Sequence, residues 1–205
     1  MKKLLIAGMF CSLALVTAGT VMAKVAVGQP APAFTATDGS GKPISLSQFK
    51  GKFVVLEWVN PECPFSQKHY NGGNIPETGK KAMAEGAVWL SIQTTPGGDD
   101  DKARSDLRAW LASKNAAPTA LIIDSSGNIG RTYGARTTPH MYIVDPEGML
   151  IYAGAIDSKP SSNPAHIRTA TNYVAQALGE AMSGKPVSRS TTQPYGCTVK
   201  YPGGA

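Results

Sequence analysis

Cys63 and Cys197 are the residues of this chain whose type and setting point to redox chemistry. Cys63 follows an apolar run, Val54-Val55-Leu56-Glu57-Trp58-Val59, then a turn, Asn60-Pro61-Glu62, and it is followed directly by Pro64. Proline suits the first position of a helix, where its missing N–H costs nothing, so Cys63 is expected at a helix N-terminus. There the peptide dipoles favour a thiolate and bring a cysteine from a pKa of about 8.5 toward 7 or below. Such a thiolate attacks a disulfide or a peroxide oxygen. The alternative is a buried structural cysteine.

Cys197 lies in a Gly-containing tail, Tyr195-Gly196-Cys197. Three roles are open to it: a resolving thiol that condenses with oxidised Cys63, a permanent disulfide staple, or an intermolecular partner. Glu57 is the one charge inside an apolar strand. Burying an unpaired carboxylate is costly and raises its pKa, which would suit it to proton transfer; facing solvent or pairing with a lysine is the alternative. His69, six residues into the helix, is rotated away from the thiol and reads as a surface histidine. His140 is placed either to reach substrate or to pack in a strand, and Arg136 lies near the same loop, where it could hold a thiolate or a polar substrate. Cys63, His69 and His140 could be recruited into a copper site, although no short Cys/His spacing supports one, and no cofactor is expected.

These groups need elements to position them. Met1-Lys2-Lys3, an apolar stretch and Val21-Met22-Ala23 read as a cleaved secretory signal over residues 1–23, too short for a spanning helix. The rest, about 182 residues, suits a folded domain over residues 24–186 and a tail over residues 187–205. Lysine and arginine total 20 against 14 acidic residues. The excess is scattered without aromatic interleaving, so nucleic-acid binding is not expected, and neither is stable membrane insertion after signal cleavage.

Residues 34–37 and 43–45 flank Asp38-Gly39-Ser40-Gly41 as a short hairpin, followed by one helical turn. Continuous apolar runs at 53–59, 87–93 and 120–124 read as buried strands. Helices are expected from Pro64, at about 77–85 with Pro76 before it, at 102–114, and from Pro164 to Met182, with a turn or short helix at 127–133. Strands at 141–144 and 149–152 flank Asp145-Pro146-Glu147-Gly148 as a second hairpin. The tail shows no periodicity. The fold class is therefore α/β, a mixed sheet flanked by helices, with an N-terminal hairpin extension and an irregular C-terminal tail.

This order, with a cysteine after the first long strand and Thr138-Pro139 before the closing hairpin, resembles the thioredoxin fold. Val27-Gly28-Gln29-Pro30-Ala31-Pro32-Ala33-Phe34, Phe49-Lys50-Gly51-Lys52 and the Cys63 region are similar to the redoxin or AhpC/TSA branch. Glu62-Cys63-Pro64-Phe65, Lys68-His69-Tyr70, the segment from Tyr133 to His140 and Tyr195-Gly196-Cys197 resemble an exported, peroxiredoxin-like bacterial subgroup. The resemblance implies that Pro139 is a cis-proline and that Thr138 offers backbone hydrogen bonds to an extended substrate. Pro64 and Arg136 join that surface, and Glu57 occupies the place of a proton-transferring carboxylate. Two patterns are incomplete. Ser66 stands where thioredoxins carry a second cysteine, and Leu56, Asn60 and Pro139 stand where peroxiredoxins carry Pro, Thr or Ser, and Arg.

The resulting expectation is an exported, periplasmic thiol oxidoreductase. Cys63 would exchange disulfides with protein partners, or reduce peroxide with Cys197 resolving and a reducing protein partner restoring the pair. A non-catalytic binding protein on the same fold, holding a metal or a protein partner with the cysteines in an inert disulfide, is the remaining alternative.

Overall fold

The computed structural model describes residues 25–97 and 100–204, so the expected signal segment lies outside the described residues. In chain order the elements begin β1 (Thr35–Thr37), β2 (Pro43–Ser45), β3 (Val54–Trp58), α1 (Pro64–Asn71), α2 (Asn74–Ala84) and β4 (Val88–Gln93). They continue with α3 (Asp100–Ser113), β5 (Ala120–Ile123), α4 (Asn128–Tyr133), β6 (Thr137–Thr138) and β7 (His140–Val144). The last are β8 (Leu150–Gly154), α5 (Tyr173–Met182) and β9 (Cys197–Thr198).

The central sheet has the order β5-β4-β3-β7-β8. Strands β3, β4 and β5 run parallel, as the helical crossovers between them require, and β7 pairs antiparallel with β3 and β8 with β7. Every residue of β3 and β7 is buried, because both sheet faces are covered. Val55, Val59, Met141 and Ile143 pack with Ile75, Leu107, Leu111, Val174 and Leu178 on one face. Leu56, Trp58, Leu90, Ile122 and Tyr142 pack with Ile129, Tyr133 and Val199 on the other. Residues that alternate along β3 thus serve two cores.

The expected hairpin of β1 and β2 forms, with Asp38 Oδ1 accepting the amides of Ser40 and Lys42. A 3-10 turn over Leu46–Phe49 follows it. The closing hairpin turns at Asp145, whose Oδ1 accepts from the amides of Glu147 and Met149, while Gly148 takes a φ of +88°.

Three expectations need correction. Helix α2 starts at Asn74, ahead of Pro76, because proline in the first turn removes an N–H that has no helical partner anyway. The single helix expected from Pro164 to Met182 is a 3-10 turn, Pro164–Thr169, and the separate α5. Asn172 breaks it by capping α5, accepting from the Ala175 amide while its Nδ2 donates to Asn74 and Thr78 of α2. Finally, the tail is not wholly irregular: β9 pairs antiparallel with β6, placing Cys197 opposite Thr138.

Candidate active site

Cys63 caps α1 and Pro64 is the first helical residue, as the sequence implies. The turn before it is closed by the Cys63 amide donating to Asn60 O at 3.0 Å and the Glu62 amide donating to Asn60 Oδ1 at 2.9 Å. Asn60 therefore supports the turn through its side chain, and Leu56 is fully buried within β3. The sulfur of Cys63 is buried. Its thiol donates to the backbone oxygen of Thr138 at 2.9 Å, and the Thr138–Pro139 peptide is cis.

The tail closes the other side of the sulfur. The Cys197 amide donates to Cys63 Sγ at 3.4 Å, and both cysteines are free. Burial opposes ionisation of Cys63, but the Cys197 thiol, Thr138 and the amides of Ser66 and Cys197 outweigh it and hold Cys63 below the ordinary cysteine range. Cys197 is pushed up to about 11 by burial and by the hydrogen bond it gives to Cys63. The two thiols are thus unequal: Cys63 is the more acidic, and Cys197 holds its proton more tightly and donates it toward the neighbouring sulfur. On ionisation Cys63 loses its bond to Thr138 O and retains the donors that face it.

Glu57 is fully buried and faces the core that holds Val55 and Val59. Tyr70 Oη donates to Oε1 at 2.8 Å, while Trp89 Nε1 and Ser91 Oγ donate to Oε2 at 2.8 and 3.1 Å. Burial raises its pKa and these three bonds pull the other way. Its hydrogen bonds go to these three residues and to neither cysteine, so the structure does not join Glu57 directly to the thiol pair. The strand tolerates it because the four apolar side chains of β3 each contribute roughly 1.5–3 kcal/mol on burial, and its carboxylate is hydrogen-bonded rather than orphaned.

Arg136 is exposed, and its backbone holds the tail: the Val199 amide donates to Arg136 O at 3.0 Å. His140 packs in β7, bonded through Nδ1 to Tyr142 Oη and the Arg136 amide, with its pKa held down to about 3 by burial and the Arg136 charge. These bonds and its burial pack His140 within the strand. His69 is a correction: it is completely buried, not a surface residue. The tail covers it, since His69 Nε2 lies 2.9 Å from Tyr195 Oη.

Tyr195 belongs to a cluster that sequence reasoning missed. Lys68, His69 and Asp157 are buried around its hydroxyl. Lys68-His69-Tyr70 reads as an ordinary polar helix stretch, and only the partner from the tail converts it into an interior. The signal available was that Lys68-His69-Tyr70 and Tyr195-Gly196-Cys197 both belong to the motifs that carry the family resemblance, though nothing in them stated that they meet. Beyond Cys197, Tyr201 pins the chain again, donating to Ala135 O at 2.5 Å under the Arg131 guanidinium, 4.6 Å from its ring. Among the described residues, Ser66 Oγ is buried without a hydrogen-bond partner. It stands three residues after Cys63. No helix of the described residues is long and apolar enough to cross a membrane.

The AhpC/TSA family model matches residues 27–153. A thiol-disulfide oxidoreductase ResA from Bacillus cereus is 30% identical over 129 residues, covering 62% of this chain and 69% of that protein. A chloroplastic peroxiredoxin Q from Populus jackii is 34% identical over 146 residues, covering 65% of this chain and 62% of that protein. Among solved structures, a hypothetical protein from Sinorhizobium meliloti superposes with a TM-score of 0.71 at 19% identity, covering 89% of this chain and 98% of its own. The thioredoxin domain of a Bacteroides vulgatus thiol-disulfide oxidoreductase gives 0.53 at 20% identity, covering 71% and 98%. The structural likenesses show a thioredoxin-like fold. With its matched segment spanning the sheet and Cys63, the chain belongs to the AhpC/TSA family and is a thiol oxidoreductase of the redoxin class.

Proposed function

We propose that Cys63 and Cys197 are a reversible dithiol–disulfide couple that exchanges disulfides with protein partners outside the cytoplasm, in the periplasm. The supporting observation is the direct bond from Cys197 to the Cys63 sulfur, with the acidity of the two thiols split in the sense that exchange needs. In the reducing direction the Cys63 thiolate attacks a partner disulfide. One partner sulfur leaves as a thiolate and takes a proton. Cys197, deprotonated as it attacks, then displaces the second partner sulfur, leaving the Cys63–Cys197 disulfide and a reduced partner. Thr138, Pro139 and Pro64 form the surface around the attacking sulfur, residues 24–186 the folded unit, and residues 187–205 the tail that supplies the second thiol.

The test is a redox titration against glutathione with a Cys197→Ser protein as trap. An internal disulfide less negative than about −300 mV and a stable mixed disulfide from the trap variant support exchange. A more negative potential with no mixed disulfide leaves only a structural staple.

A second reading, peroxide reduction, is favoured by the burial of Cys63, which is 1% exposed. A small peroxide reaches such a sulfur more readily than a folded protein does. Cys63 would be oxidised to a sulfenic acid as the peroxide O–O bond breaks, and Cys197 would condense with it, releasing water. A reducing protein partner would then restore both thiols. Stopped-flow oxidation by hydrogen peroxide decides this, since a rate no faster than that of a free thiol removes peroxide as substrate.

A further inference from the structure

Two residues before Cys197, the tail inserts Tyr195 into a closed polar pocket on the flank of α1, the helix that Cys63 begins. Lys68 and Asp157 form a buried ion pair at 3.3 Å, and Lys68 Nζ also donates to Lys159 O at 2.8 Å. The hydrogen-bond pattern fixes the state of His69. Asn172 Nδ2 donates to Asn74 Oδ1 at 2.9 Å, which turns the Asn74 amide so that its Nδ2 donates to His69 Nδ1 at 2.9 Å. Nδ1 is therefore an acceptor, and the ring proton sits on Nε2, aimed at Tyr195 Oη. A neutral imidazole agrees with its pKa, held down to about 4 by burial and the Lys68 charge against the opposing pull of Asp157.

The Tyr195 oxygen accepts from His69 and, at 3.2 Å, from Lys68, and its hydroxyl donates to Asp157 Oδ1. One phenol oxygen thus makes its full set of three bonds. Its ring meets Phe65 edge-on at 5.8 Å between centroids, and Lys68 Nζ lies 5.4 Å from the ring centre. The next residue, Gly196, passes so near the Thr138 carbonyl that a Cβ there would strike it.

We propose that Tyr195 is the positioning residue of the cysteine pair: its seat among Lys68, His69 and Asp157 sets where Cys197 meets Cys63. This rests on the reading of Cys63 and Cys197 as an exchanging couple. Tyr201 holds the far side of β9 to Ala135 and Arg131, so it fixes the strand to β6 but not to α1. Tyr195 is the anchor tied to the helix that carries the nucleophile. With it seated, Cys197 stands over the sulfur; with it released, the stretch before Cys197 swings free and Cys63 is uncovered.

The two steps of oxidation by glutathione disulfide then respond in opposite directions to loss of the anchor. First, the Cys63 thiolate attacks glutathione disulfide, forming a Cys63–glutathione bond and releasing one glutathione thiolate, which is protonated. Second, the Cys197 thiolate, its proton given to solvent, attacks the Cys63 sulfur, forms the internal disulfide and releases the second glutathione. Two protein thiols are oxidised and one glutathione disulfide is reduced to two glutathione molecules.

The experiment follows both steps by mass spectrometry of the full chain as wild type, Tyr195→Phe and Tyr195→Ala, with thermal unfolding as a check on folding. Wild type is expected to pass quickly through the adduct. Tyr195→Ala should form the adduct faster and resolve it at least about tenfold more slowly, the scale of lost hydrogen bonds to charged groups. Tyr195→Phe keeps the ring and loses the three bonds, so it should fall between; it also carries the test should the alanine variant fail to fold. A role in stability alone would lower the melting temperature without opposite changes in the two rates. Resolution within twofold of wild type in a folded Tyr195→Phe protein overturns the assignment. A wild-type chain that never closes the internal disulfide overturns the couple itself, and the positioning role with it.

Discussion

The backbone amide of Cys197 points at the Cys63 sulfur from 3.4 Å, although 134 positions separate the two in sequence. That contact brings the two thiols together, and the hydrogen bond between their side chains lowers Cys63 and, after burial, raises Cys197; alkylation against pH reads the difference. In the wild-type protein Cys63 should react with an inflection below that of an ordinary cysteine, and Cys197 with one near 11. Cys197→Ala removes the strongest of the donors that favour the Cys63 thiolate, so the Cys63 inflection should move up. An unchanged inflection would show that the Cys197 thiol does not stabilise the thiolate.

Gly196 lies where its backbone crosses Thr138, with a φ of +143° that side chains rarely adopt. Gly196→Ala should lift β9 from β6. Reaction of Cys63 with a bulky maleimide should then quicken by about tenfold or more, the scale set by losing roughly one or two backbone hydrogen bonds. Equal rates in the two proteins would mean that the strand accommodates the methyl group and Cys63 stays covered.

Glu57 gives a pH-dependent stability. Its folded pKa is raised, so below about 4.3 both states are protonated and no penalty exists. Above that, the unfolded chain ionises first and stability falls relative to a neutral side chain, until the folded carboxyl also ionises. The melting temperature of Glu57→Gln minus that of wild type should therefore rise as pH increases from 4 toward neutrality. A difference independent of pH would show that the carboxyl titrates alike folded and unfolded.

Asn172 caps α5 and ties it to α2. Asn172→Ala should cost about 1–3 kcal/mol, the cap together with two side-chain bonds, as measured by guanidinium unfolding. A loss of a few tenths would leave the cap to solvent.

Ser66 Oγ, by contrast, is buried with no partner. Ser66→Ala removes only an unsatisfied hydroxyl, so it should leave stability unchanged or raise it by about 1 kcal/mol. A clear loss on thermal unfolding would reveal a bond that the hydroxyl makes.

The framework was legible in the sequence because its signals are local. The apolar runs ending at Val59 and Gln93, Pro64 after Cys63, and Asp145-Pro146-Glu147-Gly148 each state their element within a few residues. What was missed depends on long-range partners. His69 lies on a helix whose own pattern marks it as exposed, and it becomes interior through Tyr195, 126 residues away. The tail had no period because β9 is two residues long, and a strand that short carries no alternation to read. Asn172 could have been recognised as a helix start, but an uninterrupted helical spacing around it concealed the break.

The anchoring of the tail on both sides of Cys197 has a consequence for competition among thiols. A reacting group held at contact distance acts with an effective molarity that reaches on the order of 10⁵ M or more when orientation is good, whereas small thiols in solution are present at far lower concentration. In the proposed couple, once Cys63 has bonded to a sulfur, Cys197 would therefore outcompete dissolved monothiols for the next step. Lasting adducts on Cys63 would then mark molecules in which the tail has left its seat, and counting them would measure how often it does so.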